Sequence, residues 1–177
     1  MSGVATWSTI VPEPIETRRL ILEPLRFAHA EEMVDVLADW QLYSFTGGTP
    51  PSLPALQDRY ARQVVGRSPG DSERWFNWIL RVRSTQAAAG YVQATVVEAP
   101  AEVVAFIAWL TGVRHQRLGY AGEAATAMAG WLRSRGVGQL IADVHPEHLA
   151  SIAVARRLGL TATGEIVDGE LRWAGAG

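Results

Sequence analysis

The sequence predicts a mixed α/β (α+β) fold, in which a mostly antiparallel central sheet of about six or seven strands carries helices on both faces. Short apolar runs recur along the chain, and amphipathic stretches with apolar residues every three or four positions lie between some of them. Turn signals such as Asp168-Gly169 join other runs directly. The predicted order is β-α-α-β-β-β-α-β-α-β-β, which gives one mixed sheet covered on both faces.

The first half of the chain supplies four of the strands and two helices. Residues 17–25 have strand composition, and a helix without a good N-cap is predicted from about His29 to Asp39. Ser52 follows a loop rich in glycine and proline, and its hydroxyl can cap a second helix. A hairpin turn at 99–102 joins the last two of three further strands. These strands are expected at 75–82, 90–97 and 103–110.

The second half supplies two helices and three strands. A third helix opens near Gly119, and residues 139–144 form the next strand before a fourth helix. Asp168-Gly169 joins two final strands near 161–167 and 170–173. The apolar stripe of the third helix comprises Ala121, Ala124, Ala125, Met128, Trp131 and Leu132.

Length and composition predict one globular domain over residues 16–177, because 177 residues with 48% hydrophobic content can bury a full core. Residues 1–15 contain two prolines and are expected to form a loose arm. They lack the features of a secretory signal, and the longest apolar run, 103–110, is too short to span a bilayer. We therefore expect a cytoplasmic protein with no membrane partner.

The charge pattern argues against nucleic acid as a partner. The formal net charge is -2, from 16 basic and 18 acidic residues, and no basic stripe is present. All basic residues are Arg, which we interpret as a coding bias; Arg156 and Arg157 complement a helix dipole. The chain has no Cys, which excludes Cys-ligated metal and a cysteine nucleophile. No metal is expected.

The most informative segment is 116–125, which follows a buried strand and opens the third helix at Gly119. Such a turn presents unpaired N–H groups and the positive end of a helix dipole, which suits a pyrophosphate. The pattern alone also fits a plain turn. A Rossmann site lacks its three glycines here, and a Walker loop is excluded because the chain has no Lys.

Three motifs in consistent order decide between these interpretations of the segment. The first is Glu16-Thr17-Arg18-Arg19-Leu20-Ile21-Leu22; the second is Gln116, Gly119, Tyr120, Ala121, Glu123 and Ala124; the third is Pro146, Ser151, Leu158 and Gly159. Together they resemble the GCN5-related N-acetyltransferases (GNAT superfamily), and most of all the branch of ribosomal-protein N-terminal alanine acetyltransferases. The resemblance covers about residues 16–173.

The resemblance implies that acetyl-CoA is the acyl donor. In the family, the strand before the loop splays from its neighbour, and its backbone pairs with the pantetheine arm. That strand end corresponds here to Leu110, Thr111 and Gly112. The pyrophosphate loop corresponds to Gln116, Arg117, Leu118, Gly119, Tyr120, Ala121 and Gly122.

Two residues are candidates for proton transfer. The Tyr that many relatives use as an acid falls on Ala155, whereas Ser151 matches the serine of the ribosomal-type branch and could protonate the leaving thiolate. Ser151 could equally cap or pack the fourth helix. His148 replaces the branch's Asn, and it could contact the cofactor, carry a proton or simply face solvent.

No general base is predicted. The strand before the loop has no carboxylate, Glu98 and Glu102 lie near a hairpin, and Glu123 is expected to be structural. Asp143 could be a base or a helix-entry cap, and a water chain could replace a single base.

The acceptor pocket is expected between the first two helices, the loop joining them and the later hairpins. This region has few carboxylates, which disfavours a strongly cationic acceptor, but it is rich in aromatic residues: Trp40, Tyr43, Phe45, Trp75, Phe76 and Trp78.

The resulting hypothesis is an N-acetyltransferase in which a primary amine attacks directly in a ternary complex. The amine could belong to a protein N-terminus, an amino acid or a small molecule. The alternatives are a non-catalytic module that senses acyl-CoA, a transferase that uses a longer acyl-CoA, and a plain α/β interaction domain. The protein could also form a homodimer.

Overall fold

The computed structural model describes residues 7–177 and contains one eight-stranded sheet of order β1-β2-β3-β4-β5-β6-β8-β7. All neighbouring strands are antiparallel except β5 and β6, which are parallel. The strands are β1 Ile15–Glu16, β2 Leu20–Pro24, β3 Arg74–Val82, β4 Ala88–Glu98, β5 Val103–Thr111, β6 Gln139–Val144, β7 Thr161–Val167 and β8 Glu170–Ala176. The predicted fold class is confirmed, with the two-residue strand β1 as an addition.

Four α-helices cover the two faces of the sheet. They are α1 Ala30–Val36, α2 Leu53–Gln63, α3 Tyr120–Arg133 and α4 Leu149–Arg157. Within the described part of the chain, no helix is both long enough and apolar enough to cross a membrane. Helix α1 is shorter than predicted, because Leu37 leaves the helical conformation and the Asp39 carboxylate caps a separate 3-10 turn at Trp40–Tyr43.

The core lies in two layers because successive strand residues point to opposite faces. On β3, Trp78 and Leu80 belong to the larger cluster, which packs under α3 and α4. Ile79 lies between them in sequence and belongs to the smaller cluster, which packs under α1 and α2. Leu110 of β5 contacts that smaller cluster, so the end of β5 faces the α1–α2 side.

Local turn signals are confirmed. The Ser52 hydroxyl accepts a hydrogen bond from the Ala55 amide at 3.3 Å and caps α2. Asp168 and Gly169 have φ values of 51° and 87°, as a tight hairpin between β7 and β8 requires.

The amino-terminal segment differs from the loose arm expected over residues 1–15. Trp7 is buried and makes edge contacts with Phe76 and Trp131, at centroid distances of 5.6 and 6.4 Å. The Glu13 carboxylate pairs with Arg135, and its carbonyl accepts a hydrogen bond from Trp78. Burial of the Trp7 ring therefore fixes this segment against the core, although the segment contains two prolines. Residues 1–6 lie outside the described part of the chain.

We predict that Trp7→Ala lowers the free energy of unfolding by about 3–5 kcal/mol, because it leaves a cavity between two aromatic rings. Urea denaturation followed by circular dichroism measures this change. Val11→Ala is the matched control, since Val11 is 76% exposed and its truncation should have little effect. A cost for Trp7→Ala as small as the control's would show that the segment does not contribute to the core.

Candidate active site

The central feature of the site is the divergence of β5 from β6. The two strands pair only through Val104–Phe106 and Gln139–Ile141. Strand β5 continues to Thr111, so residues 107–111 have no strand partner on this side. On the other side, β4 remains paired with β5 as far as Gly90 opposite Thr111. The unpaired peptide groups of β5 can therefore bind an extended ligand.

The end of β5 is held in place by a close backbone approach. A Cβ at Gly90 would collide with the Leu110 carbonyl oxygen, so only glycine allows β4 to lie this near. The Gly112 amide donates to the Ala89 carbonyl at 2.8 Å. The buried Thr111 hydroxyl has no hydrogen-bond partner among the described residues. Such an unsatisfied group at the gap is suited to a polar ligand atom.

The loop from β5 to α3 presents backbone N–H groups. Arg117 and Gly119 both adopt left-handed conformations, with φ of 61° and 78°. Gly119 is the N-cap of α3, and no side chain caps this end. Gln116 Nε2 donates to the Thr111 carbonyl at 3.2 Å and ties the loop to β5. The first turn of α3 therefore has free N–H donors and a positive dipole end, which suits an anion.

A network of hydrogen bonds and an ion pair around Glu123 holds this loop in place. Glu123 accepts hydrogen bonds from the Thr17 hydroxyl at 2.7 Å and from the Arg19 amide at 2.8 Å, and it pairs with the Arg19 guanidinium at 2.7 Å. The same guanidinium donates to the Leu118 carbonyl at 2.7 Å. Residues of the first and second sequence motifs are therefore in direct contact through hydrogen bonds and an ion pair. Sequence reasoning did not predict this contact.

The network fixes the role of Glu123. Burial acts to raise the pKa of this carboxyl group, but the hydrogen bonds from Thr17 and Arg19 outweigh burial and lower it below its ordinary value. A carboxylate held in this way is a weak base. The expectation that Glu123 is structural is confirmed.

Arg157, at the end of α4, lies against the first turn of α3. A Cβ at Gly122 would be 3.2 Å from Cδ of Arg157, so glycine leaves the space that this side chain occupies. The sequence analysis assigned Arg157 only to the helix dipole. Its placement adds a cation beside the loop. The glycine at 122 was the one sequence feature that could have indicated this close approach.

Ser151 lies across the gap from β5. The indole Nε1 of Trp109 donates to Ser151 Oγ at 3.3 Å, which joins β5 to the start of α4. Since the oxygen accepts this bond, its own hydrogen can be donated to another group.

His148, at the start of α4, stacks on Phe45 with ring centroids 4.5 Å apart and an interplanar angle of 18°. Burial, and then the nearby His145, lower the pKa of His148, so its imidazole is neutral at pH 7. Phe45 follows the 3-10 turn after α1, so this contact brings that segment over the start of α4.

A cavity of about 280 Å³ lies over β3 and β4 on the α1–α2 face. Its floor includes Tyr91 and Gln93 of β4, which lie opposite Leu110 and Ala108 of β5. The cavity is therefore one strand spacing from the unpaired part of β5. Its lining consists of Leu25, Leu37, Arg59, Tyr60, Gln63, Asn77, Trp78, Ile79, Tyr91 and Gln93.

A family model described as an acetyltransferase (GNAT) domain matches residues 19–161, which is most of the chain. The chain belongs to the GNAT acetyltransferase family. It is accordingly an acyl-CoA-dependent acetyltransferase, as the sequence analysis expected, with acetyl-CoA as its donor. A comparison with curated proteins found no significant match.

Solved structures share the fold of this GNAT domain. A GNAT-family acetyltransferase from Bacillus anthracis has a TM-score of 0.75 at 17% identity, over 93% of this chain and 98% of its own. A Salmonella typhimurium enzyme that modifies the N-terminal serine of ribosomal protein L7/L12 has a TM-score of 0.74 at 17% identity, over 93% and 99%. The microcin C7 self-immunity acetyltransferase MccE, in complex with acetyl-CoA and AMP, has a TM-score of 0.73 at 14% identity, over 90% and 93%.

The carboxylates considered as bases are either paired or distant from the end of β5 in the GNAT domain. Asp143 makes a two-pronged ion pair with Arg172, with both distances 2.9 Å, which argues against its role as a base. Glu98 and Glu102 lie at the hairpin end of β4 and β5, the opposite end from Thr111. Within residues 7–177, no group of three or more acidic, His or Cys side chains is arranged to hold a metal.

The aromatic residues expected in the acceptor pocket have different roles. Phe76 packs in the core under α3, whereas Trp40 is 65% exposed. Phe45 contacts His148, and Trp75 lines a second cavity beside the first.

We predict that Glu123→Gln lowers the free energy of unfolding at pH 7 by about 1–3 kcal/mol, because a partly buried, charged network is broken. A carboxyl group with a lowered folded-state pKa stabilises the fold above its ordinary value of 4.5, and this contribution is lost as the pH falls toward the lowered value. The wild-type advantage over Glu123→Gln should therefore shrink below pH 4.5. Urea titrations of both proteins across this range test it, and a constant difference would contradict the network.

Proposed function

We propose that this protein transfers an acetyl group from acetyl-CoA to a primary amine by direct attack within a ternary complex. The observation that carries the proposal is the β5–β6 gap, which has the anion-suited loop at one end and the acceptor cavity beside it. A donor bound at the gap and an acceptor bound in the cavity would lie on neighbouring surfaces, which is the main requirement of such a transfer.

The backbone of residues 110–112 is the proposed partner of the pantetheine arm, and the unsatisfied Thr111 hydroxyl supports this. The loop at 116–122 is the proposed site of the pyrophosphate, with Arg157 as an added cation. Charge that develops on the thioester oxygen would be stabilised by an amide at the end of β5.

Proton transfer is assigned to two residues at the start of α4. Neutral His148 accepts the proton that the attacking amine releases. Ser151 donates its hydroxyl proton to the sulfur as the carbon–sulfur bond breaks, while Trp109 holds its oxygen. One proton is thus removed from nitrogen and one supplied to sulfur, and the cycle closes when water carries the proton from His148 back to the Ser151 oxygen.

A second candidate function is a module that binds acetyl-CoA without transfer. It is favoured by the buried Ala155 at the position of the family's tyrosine, and by the absence of a carboxylate on β5. The two functions differ in the release of free thiol in the presence of amines.

We predict that Gly119→Asp lowers acetyl-CoA affinity at least about tenfold, because it places a carboxylate where the phosphates would bind. Isothermal titration calorimetry measures the affinity. Gly136→Asp is a matched control, since Gly136 has a similar left-handed φ of 89°, lies past the other end of α3 and has open space around it.

Binding in the wild type and the control but not in Gly119→Asp supports the site. Full affinity in Gly119→Asp would refute the loop assignment. Binding to wild type without thiol release for any amine would favour the sensing module.

We predict that Ser151→Ala lowers kcat by about 10²-fold at every pH with little change in acetyl-CoA affinity. His148→Gln should instead remove the acid limb of the profile, because His148 must be neutral to act and its lowered pKa places that limb below 6.5. Assays of thiol release from pH 5 to 9 separate the two roles. Equal rates in the parent and both variants would show that the two residues only pack.

A further inference from the structure

The acceptor cavity is part of a longer cleft. A second cavity of about 240 Å³ shares four lining residues with the first: Arg59, Gln63, Asn77 and Gln93. It adds Arg62 and Thr95 farther along α2 and β4. The two cavities therefore form one groove that runs along β4, away from the end of β5.

The charge of this groove is positive. Arg59 lines both cavities and Arg62 lines the second, whereas no Asp or Glu lines either of them. Both arginines are exposed. Within residues 7–177, neither has a hydrogen-bond or ion-pair partner, whereas the strand arginines Arg74, Arg81 and Arg172 are all paired.

Two carboxylates near the groove are already engaged. Both oxygens of Glu32 bind Arg81, at 2.7 and 2.6 Å, and Glu73 accepts from the Trp75 indole at 2.9 Å.

A third carboxylate, Asp58, precedes Arg59 on α2 and lies one turn before Arg62, but it lines neither cavity and, among the described residues, makes no ion pair with either arginine. The Arg59 charge also acts on the groove: burial raises the pKa of Tyr91, and Arg59 acts against that rise. The guanidinium groups of Arg59 and Arg62 therefore line the groove without a paired carboxylate.

The strand register sets the distance between this charge and the reacting end. Tyr91 lies opposite Leu110, and Gln93 and Thr95 follow on the same face of β4. Each step of two residues advances about 7 Å along the strand, so Gln93 and Thr95, which line the cavities together with the arginines, lie about 7 and 14 Å beyond Tyr91. This span exceeds the amine–carboxylate distance within one amino acid. It matches an acidic side chain in the first few residues of an extended peptide.

We propose that the acceptor is the N-terminus of an acidic peptide, and that Arg59, assisted by Arg62, binds a carboxylate two to four residues beyond the amine. This inference rests on the proposed acetyl transfer and names its substrate class. Arg59 acts as a specificity-determining residue, because its forked guanidinium can bind a carboxylate with two hydrogen bonds.

The test compares two pentapeptide amides that differ only at the third position, Asp in one and Asn in the other. We expect wild type to prefer the Asp peptide in kcat/KM by about tenfold, the size of one charge-assisted hydrogen bond. Arg59→Gln should reduce this preference to within about twofold, whatever its effect on the rate for the Asn peptide. Arg59→Lys should retain part of it, since the charge remains.

Arg18→Gln is the control, because it removes the same charge from an exposed residue that lines neither cavity. Equal wild-type rates for both peptides, or turnover of other amines but of neither peptide, would overturn the inference and leave the acetyl transfer standing. A preference that persists in Arg59→Gln would also overturn it. Failure to bind acetyl-CoA or to release thiol with any amine would instead remove the proposed function itself.

Discussion

The divergence of β5 and β6 is the constraint on which the site depends. Three residue pairs join these strands, after which β5 continues alone on that side for five residues. Unpaired backbone groups inside a sheet are costly unless a ligand or water satisfies them. The sheet tolerates this gap because β4 holds the other edge of β5 over its whole length. The loop, the start of α4 and the acceptor cavity all lie around this gap.

The supports of the gap come from distant parts of the chain. Thr17 and Arg19, in the turn between β1 and β2, bind Glu123 of α3, and Arg19 also binds the carbonyl of Leu118 in the loop. Phe45 reaches His148 from the α1–α2 connection, and Trp109 reaches Ser151 from β5. A loop whose anchors lie in other elements is pre-organised, so little conformational entropy is lost when it binds an anion.

The two faces of the sheet differ in how much of the hydrophobic core they carry. The face under α3 and α4 carries most of the core, including the aromatic contacts of Trp7, Phe76 and Trp131. The face under α1 and α2 has a smaller core and therefore leaves room for a polar groove along β4. In the proposed function, donor and acceptor would approach β5 from regions that are stabilised separately. Substitutions in the groove should change specificity with little effect on the fold.

The sequence by itself determined the fold class, most element positions and the turn that opens α3, because these depend on apolar periodicity, turn residues and local motifs such as Gln116 to Gly122. It also identified Ser151 and His148 as candidates, although not what they contact. Only the tertiary structure decided which charges form ion pairs. Glu123 pairs with Arg19 and Asp143 pairs with Arg172. Arg59 instead lies unpaired in a groove. Side chains that lie far apart in sequence meet only through strand register and helix packing, and a charge acquires its role from the partners it meets.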